Sequence, residues 1–217
     1  MVDHAFANSR PFALSPPFGL LQWALAQLTT QGRTLARIRQ AFLQGAACGP
    51  ECFVGLNAWC ENPRSRESIT LAGRVLCRGI LRVEGHGSGF IRVGREVYLG
   101  DNVIISAAAG VTIGDGVLLA HGVQVFDNNT HPVDRVARLA DYRAVMGWGG
   151  PAPCSIEASP VSLGAGSWIG MNSIIMKGAD IGAGSIVGAG SVVVSPIPPG
   201  VLAAGNPARV IRELPSA

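Results

Sequence analysis

The sequence predicts an all-β solenoid of hexapeptide repeats with an N-terminal helical segment and a long extruded loop. The first observation behind this prediction is an aliphatic side chain at every sixth position, at Leu163, Ile169, Ile175, Ile181, Val187 and Val193. A period of six fits neither a helix nor a single alternating strand. It fits a coil in which each hexapeptide forms one short side and directs its aliphatic residue onto the equivalents in neighbouring coils.

The second observation is that the same spacing recurs upstream, with one gap at Gly87. It is kept by Ile69, Val75, Leu81, Val93, Leu99 and Ile105, and after a shift by Ile113, Leu119 and Val125. Small side chains follow the C-terminal aliphatic positions at Ser167, Ser173, Ala179, Ser185 and Ser191. The 29 glycines suit tight turns, and a hydrophobic content of 48% argues against disorder.

Length and composition restrict the class of protein. The 217 residues suit one domain with an appendage, and a net charge of +3 with scattered basic residues does not indicate nucleic-acid binding. We expect a cytoplasmic protein, because neither a secretion signal nor an apolar run of about 18 residues is evident. Five cysteines without paired spacing are expected to be reduced thiols: Cys48, Cys52, Cys60, Cys77 and Cys154.

Residues 1–47 are predicted to be an N-terminal helical segment, irregular over residues 1–15 and with one broken helix or two short ones from Pro17 onward. Apolar residues recur there at helical spacing, with Gly32 between the two groups: Leu21, Leu25 and Leu28, then Leu35, Ile38 and Phe42. We expect these helices to cover the solenoid end or a neighbouring subunit, and contact with a membrane surface is the less favoured alternative. Residues 48–68 are predicted to be a connector, residues 69–195 the solenoid domain, and residues 196–217 a C-terminal tail.

The six-residue spacing is lost between Val125 and Val161. The intervening residues are rich in Gly and Pro, so residues 126–160 are predicted to leave the wall as an extruded loop. Insertions in repeat proteins often line a binding face. This loop contains His131, followed by Pro132, and an imidazole that titrates near neutrality suits general-base catalysis.

Four sequence fragments occur in a fixed order, at 130–132 (THP), 168–170 (WIG), 188–191 (GAGS) and 204–209 (AGNPAR). With these fragments the sequence resembles the hexapeptide-repeat acyltransferases, in particular the maltose and galactoside O-acetyltransferase branch and its polysaccharide O-acetyltransferase relatives. The resemblance implies a left-handed parallel β-helix and a homotrimer that binds acetyl-CoA between subunits. It implies acetyl transfer to a hydroxyl of a sugar, polysaccharide or lipid-linked sugar, without a metal or a covalent acyl-enzyme.

The resemblance also assigns roles to residues of the loop and of the following coil. His131 would be the general base. Asp127 is our first choice for the side chain that orients it, among Asp127, Asn129, Asp134, Asp141 and Glu157. An equally good interpretation makes Asp127 or Asn129 a contact to sugar hydroxyls, or part of an Asx turn. Backbone amides near Gly170 and Met171 would stabilise the oxyanion. Trp168 would border the acceptor pocket, with packing at a coil corner as the alternative.

The resemblance implies that the acyl donor contacts residues at the C-terminal end, namely Met171, Gly188, Ala189, Ser195, Arg209 and Arg212. The arginines would pair with phosphates, with a solvated tail as the alternative. The sequence departs from the family twice. Val194 and Ser195 stand where many relatives have Thr-Lys, and residues 107–109 are alanines where the galactoside branch has an Asp-Asp pair. The second departure favours an acceptor other than a simple disaccharide.

Two other classes of function remain open. A zinc enzyme of the gamma carbonic anhydrase kind needs three histidines at a subunit interface, and His86, His121 and His131 lack the close pair that such enzymes show. A non-catalytic scaffold or assembly subunit is the other alternative. Failure to bind any acyl-CoA would favour that alternative.

Overall fold

The computed structural model describes residues 30–85, 87–148 and 156–215. The chain winds as a triangular coil whose short strands build three parallel sheets, and this architecture confirms the predicted left-handed parallel β-helix. The predicted helix around residues 21–28 lies outside the described residues. No helix among the described residues is both long and apolar enough to cross a membrane.

Each turn of the coil contributes one strand to each of the three sheets. Sheet A contains β1 (Ala47–Cys48), β4 (Ile69–Gly73), β7 (Ile91–Arg95), β10 (Val111–Ile113), β13 (Val161–Leu163) and β16 (Asp180–Ile181). Sheet B contains β2 (Phe53–Val54), β5 (Leu76–Cys77), β8 (Tyr98–Leu99), β11 (Leu118–Leu119), β14 (Trp168–Ile169), β17 (Ile186–Val187), β19 (Val201–Gly205) and β20 (Ala208–Glu213). Sheet C contains β3 (Trp59–Glu61), β6 (Ile80–Val83), β9 (Ile104–Ala107), β12 (Gln124–Phe126), β15 (Ile174–Ile175) and β18 (Val192–Val193).

The core is a set of ladders in which one inward residue per strand contacts its equivalents in the adjacent turns. Leu163, for example, is in register with Ile113 on one side and Ile181 on the other, and all three are buried. The aliphatic positions of the predicted repeats occupy this interior. The period of six therefore reports how far apart successive inward residues lie along the coil.

The first turn of the solenoid begins earlier than expected. Residues 48–68 were predicted to be a connector, but β1, β2 and β3 pair in parallel with β4, β5 and β6 of the next turn. Their inward residues Cys48, Val54 and Cys60 keep the spacing of six. The connector prediction is wrong because two thiols stand where other turns have aliphatic side chains, so the repeat was not recognisable.

Both ends of the solenoid are covered. Helix α1 (Thr30–Gly45) lies over the first turn with Phe42 buried and Ile38 packed against the core, and it continues through Gly32 without a break. At the other end, β19 extends sheet B and β20 pairs with it in antiparallel fashion. The segment predicted to be a tail therefore contains a hairpin that closes the sheet.

The outward positions differ sharply between the sheets. On sheet A the outward ladder is mainly polar and consists of Ala47, Thr70, Arg92, Thr112, Ser162 and Asp180. On sheet B it is apolar and consists of Phe53, Leu76, Tyr98, Leu118, Trp168, Ile186 and Leu202. Sheet C is also mostly apolar, with Trp59, Ile80, Ile104, Gln124, Ile174 and Val192. The solenoid is a triangular prism whose three faces are the three sheets. The faces formed by sheets B and C thus carry apolar surface that is in contact with water in a monomer.

Candidate active site

The extruded loop leaves the wall after β12 and returns at β13, and its two ends are joined by backbone hydrogen bonds. The Ser159 amide donates to the Asp127 carbonyl oxygen at 2.8 Å, and the Asn129 amide donates to the Glu157 carbonyl oxygen at 3.0 Å. His131 follows two residues after this pairing. Its backbone is therefore held close to the wall although it belongs to a long insertion.

The loop contains a helix, α2 (Arg135–Val145), which the sequence analysis did not predict. Asp134 caps its N-terminus, because its side chain accepts hydrogen bonds from the amides of Val136 at 3.0 Å and Ala137 at 2.8 Å. The signal in the sequence was an Asp followed by 12 residues without Gly or Pro. Helix α2 brings Asp141 back toward the start of the loop.

His131 is oriented by Asp141. The Nδ1 atom of His131 lies 2.7 Å from Oδ2 of Asp141, while the side chains are 56% and 13% exposed respectively. A carboxylate can only accept here, so the contact selects the tautomer with the proton on Nδ1 and leaves the lone pair on Nε2. An exposed imidazole with a free Nε2 can remove a proton from a hydroxyl group.

Asp127, our first choice for that orienting role, has a different function in the structure. Its side chain is fully buried, and its carboxylate accepts hydrogen bonds from the amides of Ala108 at 2.7 Å, Ala109 at 2.8 Å and Gly110 at 2.5 Å. The prediction that Asp127 orients His131 is therefore wrong. A buried carboxylate with three amide donors is well satisfied, and it fixes the turn between β9 and β10 beneath the loop.

Asn129 stabilises the returning end of the loop. Its Nδ2 atom donates to Oε2 of Glu157 at 3.3 Å, and Lys177 Nζ lies 2.6 Å from the same oxygen. The hydrogen bond and charge of Lys177 lower the pKa of Glu157 below its usual value. These contacts give Asn129 a structural role, and its predicted contact with an acceptor stays a prediction.

Trp168, Gly170 and Met171 lie on β14 and on the corner that follows it. The Trp168 side chain is 49% exposed on the outward face of sheet B. The Gly170 amide already donates to the Val187 carbonyl oxygen at 2.8 Å, so this amide is not available as an oxyanion donor. The Met171 amide has no acceptor among the described residues, so it remains a candidate donor.

One subunit does not bring His131 and Met171 together. Met171 lies at the corner between sheets B and C, whereas the loop that carries His131 leaves from the corner between sheets C and A. His121 lies at the first of these corners, where its Nδ1 atom accepts a hydrogen bond from the Asp101 amide at 3.0 Å. His121 and His131 are thus on different edges of the prism, and His86 is outside the described residues.

The residues predicted to contact the acyl donor fall into two groups. Ala189 is exposed at the corner equivalent to that of Met171 in the next turn, directly after Gly188. Arg209 and Arg212 lie on β20, in the same sheet as β17, and their guanidinium groups contact only nearby carbonyl oxygens among the described residues. Ser195 follows β18 and lies on the other corner, where the loop emerges.

Comparison with known proteins agrees with this architecture on both sides of the loop. Residues 160–195 match the family described as bacterial transferase hexapeptide (six repeats), and residues 90–126 match the hexapeptide repeat of succinyl-transferase. Both segments of the wall are therefore similar to the hexapeptide repeats of transferases. The two matched segments end and begin where the extruded loop leaves and rejoins the wall, so the loop is an insertion between repeats of this family.

The chain is similar in sequence to curated proteins that include a galactoside O-acetyltransferase and a nodulation protein. It is 35% identical to galactoside O-acetyltransferase of Escherichia coli K12, over 74% of this chain and 63% of that protein. It is 42% identical to nodulation protein L of Rhizobium leguminosarum bv. viciae, over 55% of this chain and 56% of that protein. The chain therefore spans less than two thirds of the length of these relatives.

A solved structure shares the fold of this chain at low sequence identity. AntD, an N-acyltransferase from Bacillus cereus crystallised with dTDP and coenzyme A, superposes with a TM-score of 0.63 and 18% identity. The match covers 83% of this chain and 88% of that one. It supports the same solenoid architecture and leaves the choice of substrate to the residues of this chain.

Proposed function

We propose that the protein transfers an acetyl group from acetyl-CoA to a hydroxyl group of a sugar, polysaccharide or lipid-linked sugar. The observation that carries this proposal is the His131–Asp141 pair, which leaves Nε2 of an exposed imidazole free to act as a base. Relatives with the same repeats include a galactoside O-acetyltransferase and an acetyltransferase named for lipopolysaccharide biosynthesis in Escherichia coli. Free thiols at the described cysteines suit the reducing cytoplasm, where we place the reaction.

In this mechanism His131 acts as a base and then as an acid. Nε2 removes the proton from the acceptor hydroxyl as its oxygen attacks the thioester carbonyl carbon, and the carbonyl oxygen becomes negatively charged. The Met171 amide donates a hydrogen bond to that oxygen. When the intermediate collapses, the carbon–sulfur bond breaks and the imidazolium returns its proton to the departing thiolate. The acetyl group passes directly to the acceptor, so no acyl-enzyme forms.

Asp141 is a positioning residue in this mechanism. Its carboxylate holds the proton on Nδ1 and stabilises the imidazolium that forms during attack. We assign this role to Asp141 and not to Asp127, because the Asp127 carboxylate already accepts hydrogen bonds from three backbone amides.

We further propose that the active enzyme is a homotrimer whose sites lie between subunits. His131 and Met171 lie on different corners of one prism, so a complete site requires a second copy. The apolar outward ladders of sheets B and C support this proposal, since a cyclic trimer uses two faces of each subunit and leaves the third in water. The polar ladder of sheet A suits that third face. Helix α2 adds further exposed apolar side chains, at Val136, Leu139, Tyr142 and Val145.

Acetyl-CoA would lie along the corner that carries Met171 and Ala189, with its phosphates near Arg209 and Arg212. Both arginines are exposed and have no carboxylate partner among the described residues, so their charges are available to an anion. Gly188 permits close packing there, because an added Cβ would lie 2.9 Å from Cβ of Ala204. Ser195, on the corner of the loop, would meet the donor only through a neighbouring subunit.

The acceptor would bind beside Trp168, whose half-exposed indole offers a flat apolar face to a sugar ring. Ala107 and Ala108 are buried, so the segment of the missing Asp-Asp pair offers no carboxylate to the acceptor. This favours a polysaccharide or lipid-linked sugar over a free disaccharide.

Thermal unfolding with acetyl-CoA and free CoA tests the donor first. A ligand at a hundred times its Kd adds about 2.7 kcal/mol to stability. We expect both ligands to stabilise the wild type, and expect the double variant Arg209→Ala, Arg212→Ala to require more ligand for the same shift. No stabilisation by either ligand would overturn the acetyl-CoA proposal and favour a scaffold role.

Acetyl transfer then tests the base and its partner. Asp141→Asn should lower kcat by about a hundredfold with little change in KM for acetyl-CoA, since a misplaced base slows the reaction without weakening donor binding. Asp134→Asn, which keeps a capping side chain at the start of the same helix, is the matched control. Equal rates for wild type and Asp141→Asn would remove Asp141 from the mechanism.

A further inference from the structure

The four described cysteines all lie in the first two turns of the solenoid. Cys48 and Cys60 occupy inward positions of the first turn, in register with Leu71 and Leu81 of the next turn. Cys77 occupies the inward position above Val54. Cys52 immediately precedes β2 and is 8% exposed. Helix α1 packs against β1, β2 and β3 and covers this end of the core, where Cys48, Cys52 and Cys60 lie.

Two of these thiols lie at the same corner of the coil. Cys48 ends β1 and Cys52 precedes β2, so the two residues flank a single coil corner of three residues, 49–51. Cys48 is in register with Leu71, and the amide of Phe53 donates to the Val75 carbonyl oxygen at 2.8 Å, so Cys48 and Cys52 take the places of Leu71 and Val75, which are both buried in the next turn. Both thiols therefore face the same part of the core. Cys48 is half-buried and Cys52 is buried, so the pair lies at the boundary between the core and solvent. The corner backbone is anchored to the next turn, because the Gly49 amide donates to the Leu71 carbonyl oxygen at 2.7 Å.

The pair differs chemically from the other two thiols. Interaction with the Cys48 thiol, the backbone amides of Val75 and Gly49 and the nearby charge of Arg39 lower the pKa of Cys52 to about 6. Interaction with Cys52 raises the pKa of Cys48. Burial raises the pKa of Cys60 to about 11 and that of Cys77 to about 12.

We propose that Cys48 and Cys52 form a reversible disulfide when the protein meets a peroxide, which makes this corner an oxidation site. Both thiols occupy core-facing positions on either side of one corner, and only three residues with an anchored backbone separate them, so little backbone movement is needed for a bond. The thiolate of the pair attacks a peroxide oxygen, breaks the O–O bond and becomes a sulfenic acid, while hydroxide leaves and takes up a proton. The second thiol then attacks the sulfenic sulfur and expels water. Two electrons pass from the sulfurs to the peroxide.

The test is mass spectrometry of the full-length protein after treatment with hydrogen peroxide. Cleavage after Arg39, Glu51 and Glu61 places Cys48 in peptide 40–51 and Cys52 with Cys60 in peptide 52–61. Mapping is done in the Cys60→Ala variant, so that a link between the two peptides must join Cys48 to Cys52. We expect this link, the loss of two hydrogens from the intact mass, and recovery of both thiols with dithiothreitol.

Cys48→Ser and Cys52→Ser serve as paired controls, with circular dichroism to check that both fold. Neither variant should form the link, whereas Cys60→Ala alone should form it as fast as the wild type. An unchanged thiol count in folded wild type would overturn the proposal. So would a link through Cys154 or oxidation that dithiothreitol does not reverse. These outcomes do not depend on whether the protein binds acetyl-CoA.

Discussion

The wall of the solenoid and the extruded loop at residues 127–160 are held together in different ways. In the wall, each inward side chain contacts equivalents above and below it, so the same interaction is repeated along three sheets. In the loop, no residue of α2 is buried, and specific hydrogen bonds fix its base and the position of His131. Stability is therefore concentrated in the wall, whereas the proposed chemistry depends on a few contacts outside the wall.

This division predicts that substitutions in the two regions produce separable effects. Changes in the wall should lower the free energy of unfolding, because they leave cavities in a packed interior. Changes at the exposed end of the loop should lower turnover and leave unfolding nearly unaffected. Asp127 joins the two regions, since it belongs to the loop sequence but is buried against the wall.

The largest effect is expected for His131→Ala. Loss of a general base should lower kcat by about a hundred- to ten-thousandfold. Because the side chain is 56% exposed, the free energy of unfolding should change by less than about 0.5 kcal/mol. Acetyl transfer and urea unfolding measure the two quantities. Thr112→Ala, at an exposed outward position of sheet A, is the control and should retain full turnover. Activity kept in His131→Ala would contradict the proposed base.

The opposite pattern is expected for Ile169→Ala in the wall. Ile169 is fully buried in sheet B between Leu119 and Val187, so its truncation should cost about 2–5 kcal/mol. Ser162→Ala, at an exposed outward position of sheet A, is the control and should stay within about 0.5 kcal/mol of wild type. Urea unfolding measures the free energy of unfolding of both variants. A cost for Ile169→Ala no larger than that of the control would mean that the ladders do not carry the stability.

The same division explains how much of the molecule could be predicted from its sequence. The C-terminal turns were recognisable because the inward residues are aliphatic and the corners use glycines with positive φ, such as Gly166 and Gly184, both at +67°. In the first turns the equivalent corners hold charged residues with positive φ: Glu51 at 56°, Arg74 at 53° and Glu96 at 59°. The backbone geometry at these corners is the same, but charged residues are not typical of positive φ. The sequence therefore did not indicate a corner there, and the first turn was predicted to be a connector.

The candidate site was predicted only in part for a related reason. His131 could be found because it lies in the fragment Thr130-His131-Pro132, which resembles a motif of the acyltransferase family. Its partner could not, because helix α2 brings Asp141 close from ten residues away, while the nearer Asp127 turns inward to backbone amides. The Gly170 amide is occupied by a bond to the next turn, which depends on register and not on sequence spacing. A repeat pattern does not predict contacts that depend on how the loop folds back onto the wall.

A smaller effect on both properties is expected for Asp127→Asn. An amide nitrogen would replace one carboxylate oxygen and face backbone donors, which should cost about 1.5–3 kcal/mol of unfolding free energy. Turnover should also fall, because the base of the loop is disturbed. Asp180→Asn, on the exposed outward face of sheet A, is the control. Urea unfolding and trypsin cleavage at the arginines of α2 measure the change. Unaltered stability would show that these amides are satisfied without the carboxylate.

The smallest effect is expected for the exposed contact between Lys177 and Glu157. Lys177 lowers the pKa of Glu157 from 4.5, so this ion pair contributes above the unfolded pKa and loses its contribution as pH falls through the lowered folded value. Because Glu157 is 65% exposed, salt and water weaken the pair. Lys177→Met should therefore leave the rate of trypsin cleavage in the loop unchanged at neutral pH in 0.15 M salt. Hydrogen exchange of residues 156–159 measures how the protection of the returning end of the loop changes between neutral and acidic pH. Lys177→Met should abolish the part of that change that the ion pair causes. If Lys177→Met opened the loop at neutral pH as much as Asp127→Asn, the ion pair and not the buried carboxylate would be its main anchor.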